Sequence, residues 1–137
     1  MSRILCIDYG DRRLGVALSD PLKIIARPFH IIDRKITPDF IYEISRLVIE
    51  KDVEKIVVGI PLTLKGLESG QTKIVKQFIS TLKERINLPI ISLDERLSSI
   101  AAEKSLIKQN IKTGHQKGRI DETAAAIILQ EYLDNKF

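Results

Sequence analysis

Tryptophan is absent from this chain, and aromatic residues of any kind make up only 5% of its 137 residues. A recognition surface built by stacking successive bases is therefore disfavoured. There is one cysteine, Cys6. That count excludes an internal disulfide, and its place inside an apolar run reads as a small core residue in a reducing compartment. No apolar stretch approaches the roughly 18 to 20 residues of a membrane span, and the N-terminus has no signal-peptide h-region. The expectation is a cytoplasmic protein without a membrane partner. Internal repeats, low-complexity tracts and Pro/Gly/Ser linkers are also missing, which predicts a single domain over residues 1–137. What is present is ample apolar material, 44%, for a real core. The formal net charge is +4, which tilts toward polyanionic partners without requiring one.

The local patterns alternate between strand and helix. Arg3–Asp8 and Leu14–Ser19 read as strands joined by the polar turn Tyr9-Gly10-Asp11-Arg12-Arg13. Arg27–Asp33 alternates as a third strand, and Pro28 suits an edge. Thr37 as cap and Pro38 in the first turn predict a helix to Lys51, with Phe40, Ile41, Ile44, Leu47 and Val48 as its apolar stripe. Lys55–Ile60 is a short β-branched run of the kind covered on both faces. After the loop Leu62–Gly70, a helix is predicted over Gln71–Arg85 with Ile74, Val75, Phe78, Ile79 and Leu82 inward. Pro89–Leu93 is a further buried strand. A helix over Ser98–Gln109, a basic loop over Asn110–Gly118 and a last helix over Ile120–Leu133 complete the chain. The order β-β-β-α-β-α-β-α-α predicts an α/β fold. Three antiparallel strands come first, then two strands arrive through parallel crossovers, giving a five-stranded mixed sheet with helices on both faces.

Ligands of such sheets gather beyond the carboxyl ends of the parallel strands. Asp8 closes the first strand, and Asp94-Glu95 follows the last. Asp121 sits at the start of the final helix, sharing a face with Ala125 and Ile128. Taken singly, each acid has a structural explanation. Asp8 can begin a turn, Asp121 can favour the helix dipole, and Asp94 or Glu95 can pair with Arg96. Taken together, they would repel one another unless cations lie between them, and hard divalent ions with oxygen ligands, Mg²⁺ or Mn²⁺, meet that need. Two such ions can activate water and stabilise the leaving oxygen of a phosphodiester.

Four stretches, "DYGDRRLGVALSD", "VVGIPLTLKG", "LDERLSS" and "KGRIDETAAAIILQEYL", resemble in this order the YqgF/RuvX family. Its members are Holliday junction resolvases also described as pre-16S rRNA nucleases, with an RNase H-like fold. The resemblance covers nearly the whole chain. It implies a metal-dependent endonuclease with catalytic acids Asp8, Glu95 and Asp121, a metal set drawn from Asp8, Asp94, Glu95 and Asp121, and Mg²⁺ or Mn²⁺ as cofactor. Glu95 is preferred to Asp94 for its longer arm. The implied substrate is pre-rRNA, with branched DNA as the alternative, and the implied assembly a monomer or homodimer. Two departures stand out. Many RNase H-like nucleases carry an acid on the fourth strand, which here ends Gly59-Ile60-Pro61. The following loop has Thr63 and Lys65-Gly66 where relatives often have Asn and Asp-Gly.

Arg12, Arg13, Lys65, Arg96, His115, Lys117 and Arg119 surround the acids as candidate nucleic-acid contacts, and Tyr9 is the aromatic expected at the site. Ser69, Gln71 and Thr72 at a helix start could meet phosphate or simply cap the helix. Two other classes compete. An ATP-dependent phosphotransferase of the actin/hexokinase type also opens on an "IDYG" hairpin, but it needs two such domains around a cleft. A non-catalytic rRNA-binding assembly factor would not need all three acids.

Overall fold

The computed structural model describes residues 2–62, 65–95 and 117–135, the last of these with side chains from Ala124 onward. Strands β1 (Arg3–Tyr9), β2 (Arg13–Ser19) and β3 (Ala26–Asp33) lead to helix α1 (Phe40–Glu50). Then come β4 (Val53–Ile60), helix α2 (Gly70–Arg85), β5 (Ile90–Asp94) and helix α3 (Lys117–Asn135). They form one sheet in the order β3-β2-β1-β4-β5. The pairs β1–β2 and β2–β3 are antiparallel, while β1–β4 and β4–β5 are parallel. This is the mixed sheet that the element order predicts, because each parallel pair is reached through a helical crossover.

The pleat sorts the core into two layers. Leu5 and Ile7 of β1, with Leu14, Val16, Ile56 and Val58, pack under α1 and α2. Ile4, Cys6, Ala17, Val57 and Leu93 face α3, meeting Ala125, Ile128, Leu129 and Tyr132. Ala124 and Ala125 are fully buried, so small side chains let the α3 backbone sit close over β1, β2 and β3. Strand β3 is an edge, and Pro28 lies at a register shift in its pairing with β2, where its missing N–H is tolerated.

Several boundaries differ from the sequence expectation. The α1 cap is Asp39, whose Oδ1 accepts from the Tyr42 N–H at 3.1 Å, rather than Thr37. Thr37 instead donates its own N–H to the Asp33 carbonyl and closes the preceding turn. Lys117 and Gly118 belong to α3 and not to a loop, which puts Asp121 in the second helical turn. Ile74 points to solvent while Thr72 takes its place in the buried stripe. The helix expected over Ser98–Gln109 lies outside the described residues, as does the loop expected over Asn110–Gly118 up to residue 116. Among the described residues, no helix is long and apolar enough to cross a membrane.

Candidate active site

Asp8 is the penultimate residue of β1. Alternation along that strand sends Ile4, Cys6 and Asp8 to the α3 face and Leu5, Ile7 and Tyr9 to the other. Its antiparallel partner on β2 is Gly15. On the other side, the β1–β4 register pairs Ile7 with Val58, and one further step puts Gly59 beside Asp8. Asp8 is thus flanked on both neighbouring strands by residues without side chains. Cross-strand neighbours on one face stand about 5 Å apart, so two glycines there keep free the space that side chains would fill.

Glu95 fills part of that space from the far side. Gly59 pairs with Leu93, and Glu95 follows just beyond the end of β5. A Cβ built on Gly59 would stand 3.3 Å from Glu95 Oε2 and 3.0 Å from Ile128 Cδ1. The Glu95 side chain therefore folds back over Gly59 on the α3 face, where the residue is only 6% exposed. Burying a carboxylate is costly unless cations or donors satisfy it. Asp94 behaves differently. Ile91 and Leu93 face α3 while Ile90 packs on the opposite layer, so alternation sends Asp94 away from Asp8. The side-chain period of two separates these adjacent acids, where arm length was the reason for preferring Glu95. Among the described residues, no three His, Cys, Asp or Glu side chains stand together as a metal group, so Asp8, Asp94 and Glu95 do not form one. The backbone of Asp121 lies in α3 one turn before the buried Ala125, and its side chain is outside the described set.

Tyr9 does not join the site. It turns to the opposite face and packs against Phe78 (ring centroids 4.6 Å apart) and Phe40 (6.5 Å). One residue along a strand reverses the side-chain direction, which proximity to Asp8 in sequence hides. Gly10 serves the hairpin itself, since a Cβ there would come within 2.5 Å of the Arg13 carbonyl oxygen.

The basic residues divide as well. Arg13 begins β2 on the α3 face with Gly15 and Ala17, the side of the acids. Arg12 is half-exposed, 3.6 Å from Asp33. The Asp33 carboxyl is held below the ordinary aspartate range by the Lys35 N–H and then by the charges of Arg12 and Arg13. Lys65 is exposed on the loop after β4, where Gly66 adopts φ 81°. Lys117 and Arg119 lie on the first turn of α3, and Arg96 and His115 fall outside the described residues. Ser69 and Thr72 are structural: they form a reciprocal capping box, and the Thr72 hydroxyl donates to the Pro61 carbonyl.

Sequence reasoning passed over Gly15, and took Gly59 only as part of a strand end that lacks an acid. The available signal was a glycine inside each of two apolar strand runs, which marks close approach of another group. It also passed over Arg34, which lies on the Tyr9 and Phe40 rings.

A family model described as "RuvX: Holliday junction resolvase" matches residues 2–135. The chain belongs to the RuvX family. A "Putative pre-16S rRNA nuclease" of Desulforamulus reducens is 44% identical over 133 residues, covering 97% of both chains. One of the same name from Roseiflexus sp. is 41% identical, covering 98% of this chain and 95% of the relative. Among solved structures, Thermus thermophilus RuvC in complex with Holliday junction substrate aligns over 99% of this chain and 96% of its own, with TM-score 0.60 and 13% identity. The fowlpox virus resolvase aligns over 98% and 99% with TM-score 0.52 and 14% identity. These two share the fold, RNase H-like with its five-stranded mixed sheet, and the RuvX assignment itself rests on the family model and the sequence relatives.

Proposed function

We propose that this RuvX-family chain is a metal-dependent endonuclease, one domain over residues 1–137, that hydrolyses phosphodiester bonds in the 5′ leader of pre-16S rRNA in the cytoplasm. The observation that carries this reading is the arrangement around Asp8. Two hard oxygen donors, Asp8 and Glu95, share one face of the sheet in a space that Gly15 and Gly59 leave open. That donor chemistry suits Mg²⁺ or Mn²⁺. Asp8 and Glu95 would hold the ion, with Asp121 as the third ligand and Asp94 left out. Bound there, the ion would supply Lewis acidity to the scissile phosphate and the attacking water. Around it the chain's own residues position substrate. Arg13, on the same face, offsets the repulsion between phosphate and the acids, and Lys65, Arg96, His115, Lys117 and Arg119 extend the cationic surround, whereas Arg12 lines the turn beside Asp33. The basic balance of the whole chain favours approach of a polyanion.

The names of the sequence relatives favour the RNA substrate. The description of the family model favours a second reading, cleavage of a four-way DNA junction. Junction resolution needs two sites acting as a pair, so it requires a homodimer, whereas leader cleavage is met by a monomer.

Purified Asp8→Asn protein is expected to lose Mn²⁺-dependent cleavage by roughly 100-fold or more, several kcal/mol of transition-state stabilisation. Its fold and nucleic-acid binding should persist. The assay sets a pre-rRNA 5′ leader beside a four-way junction, each with and without Mn²⁺. Undiminished cleavage by Asp8→Asn would sink the reading, and sedimentation of the active species separates monomer from dimer.

A further inference from the structure

On the side of the sheet away from Asp8, the turn after β1 and the turn after β3 close around an open cleft of about 370 Å³. Its lining is Asp11, Arg12, Arg34, Lys35, Pro38 and Phe40. We propose that this cleft is a second nucleic-acid contact, taking the sugar–phosphate backbone of the segment that flanks the cleaved bond. The proposal rests on the nuclease reading and adds to it where the substrate continues beyond the reacting phosphate.

Arg34 is the reason to read the cleft as built for this. Its guanidinium lies over the Tyr9 ring at 5.1 Å and over the Phe40 ring at 5.0 Å. Those rings rest in turn on Phe78, whose centroid is 4.6 Å from Tyr9 and 6.0 Å from Phe40. Arg34 Nη1 donates to the Asp11 carbonyl at 2.8 Å, and its backbone N–H donates to the Arg12 carbonyl at 2.8 Å. A planar fork fixed on an aromatic bed loses little freedom on binding, and a guanidinium donates bidentately to phosphate or stacks on a base. The neighbouring cations are ready as well. The Lys35 N–H is tied to Asp33 Oδ1 at 2.9 Å while its side chain is exposed, and Arg12 lies half-exposed beside Asp33. Pro38 and Phe40 offer apolar surface to a sugar or base.

Continuity with the acids selects nucleic acid over a small anion. Asp8 and Tyr9 are consecutive and point to opposite faces, so the cleft and the acids straddle the same sheet edge. By strand and side-chain dimensions they stand on the order of 10 Å apart. A chain of regularly spaced phosphates crossing that edge meets both.

The test uses fluorescence anisotropy in the Asp8→Asn background, so that binding is read without cleavage. The probes are the pre-rRNA leader with its flanking arm intact and the same leader with that arm trimmed away. Arg34→Ala would strip packing from Tyr9 and Phe40, so the exposed Lys35→Ala and Arg12→Ala carry the test. On the intact probe each is expected to weaken binding about tenfold, the scale of one hydrogen bond to a charged group. The slope of log Kd against log salt should fall by about one for each charge removed. On the trimmed probe both should bind like their parent. Unchanged affinity on the intact probe overturns the contact, and so does an equal loss on both probes. If the unmutated protein cleaves the leader while these variants bind normally, the cleft proposal fails alone. If it cleaves nothing while the arm-dependent loss appears, the nuclease reading fails and the contact stands.

Discussion

Gly59 carries more of the candidate site than its lack of a side chain suggests. It borders Asp8 on one strand and lies beneath the Glu95 carboxylate, with Ile128 Cδ1 closing the same space. Gly59→Ala would place a methyl 3.3 Å from Glu95 Oε2 and 3.0 Å from Ile128. Both contacts are tight but side-chain in nature, so the fold can yield at a cost of about 1 kcal/mol. Glu95 would be displaced in yielding. We therefore expect a small fall in Tm with a disproportionate loss of Mn²⁺-dependent kcat; a loss of activity no larger than the unfolded fraction explains would count against the role given to Glu95. The place of Asp8 near the end of a buried strand was legible in the sequence, because the apolar run stops on it. Tyr9 was misplaced, because nearness in sequence says nothing about which side of a pleat a residue takes. Arg34 was invisible, since the rings it lies on come from β1 and α1 and meet only in the folded chain.

At the scale of the element, the start of α2 shows how a helix end fixes a loop. Thr72 Oγ1 accepts from the Ser69 N–H at 3.0 Å and donates to the Pro61 carbonyl, while Ser69 Oγ accepts from the Thr72 N–H. Thr72→Val keeps the shape and the backbone bond to Ser69 Oγ but removes the two bonds made by Oγ1, leaving a part-buried carbonyl without its donor. Urea unfolding should report a loss of about 2 kcal/mol, and a change under about 0.5 kcal/mol would show that the box is dispensable. The β2–β3 loop offers a test by pH. Asp20 Oδ1 accepts from the Ile24 and Ile25 N–H groups at 2.7 and 2.8 Å. The Ile25 bond foremost, then Ile24, holds the Asp20 carboxyl below the usual aspartate value. A carboxyl lowered in the folded state stabilises fully above the unfolded value, about 3.9, and that contribution is lost as pH falls through the lower folded one. The amide shifts of Ile24 and Ile25 should thus titrate with a midpoint below about 3.9, and a midpoint above it would contradict the geometry. Helix and strand periods were readable locally, but the cap passed from Thr37 to Asp39 because competing turn bonds choose between neighbouring polar residues.

Across the whole molecule, the sheet separates two apolar layers that share its strands. Leu82 of α2 is buried on one face and Leu129 of α3 on the other. Leu82→Ala and Leu129→Ala should each cost about 2 to 5 kcal/mol. With a sheet between them and no shared partner, the costs should add to within about 0.5 kcal/mol in the double variant. Unfolding followed by circular dichroism and by tyrosine fluorescence should remain one coincident transition, as for a small cooperative unit. Two separated transitions would mean that the layers unfold independently. The same layering puts Asp8 and Glu95 on the α3 face and the Arg12–Arg34–Lys35 cleft on the other.

The order of elements, the mixed topology, the edge position of β3 and the acids at strand ends were determined by sequence alone. Each follows from a local period, a turn residue or the handedness of a crossover, all of which act within a few residues or one unit. The tertiary structure decided which acids share a face. Register beside β2 and β4 set Gly15 and Gly59 on either side of Asp8, and the pleat of β5 put Glu95 rather than Asp94 on the face of Asp8. Apart from the hairpin pairing of Asp8 with Gly15, those outcomes depend on contacts between residues tens of positions apart, and no local pattern encodes the partner a side chain meets across a sheet.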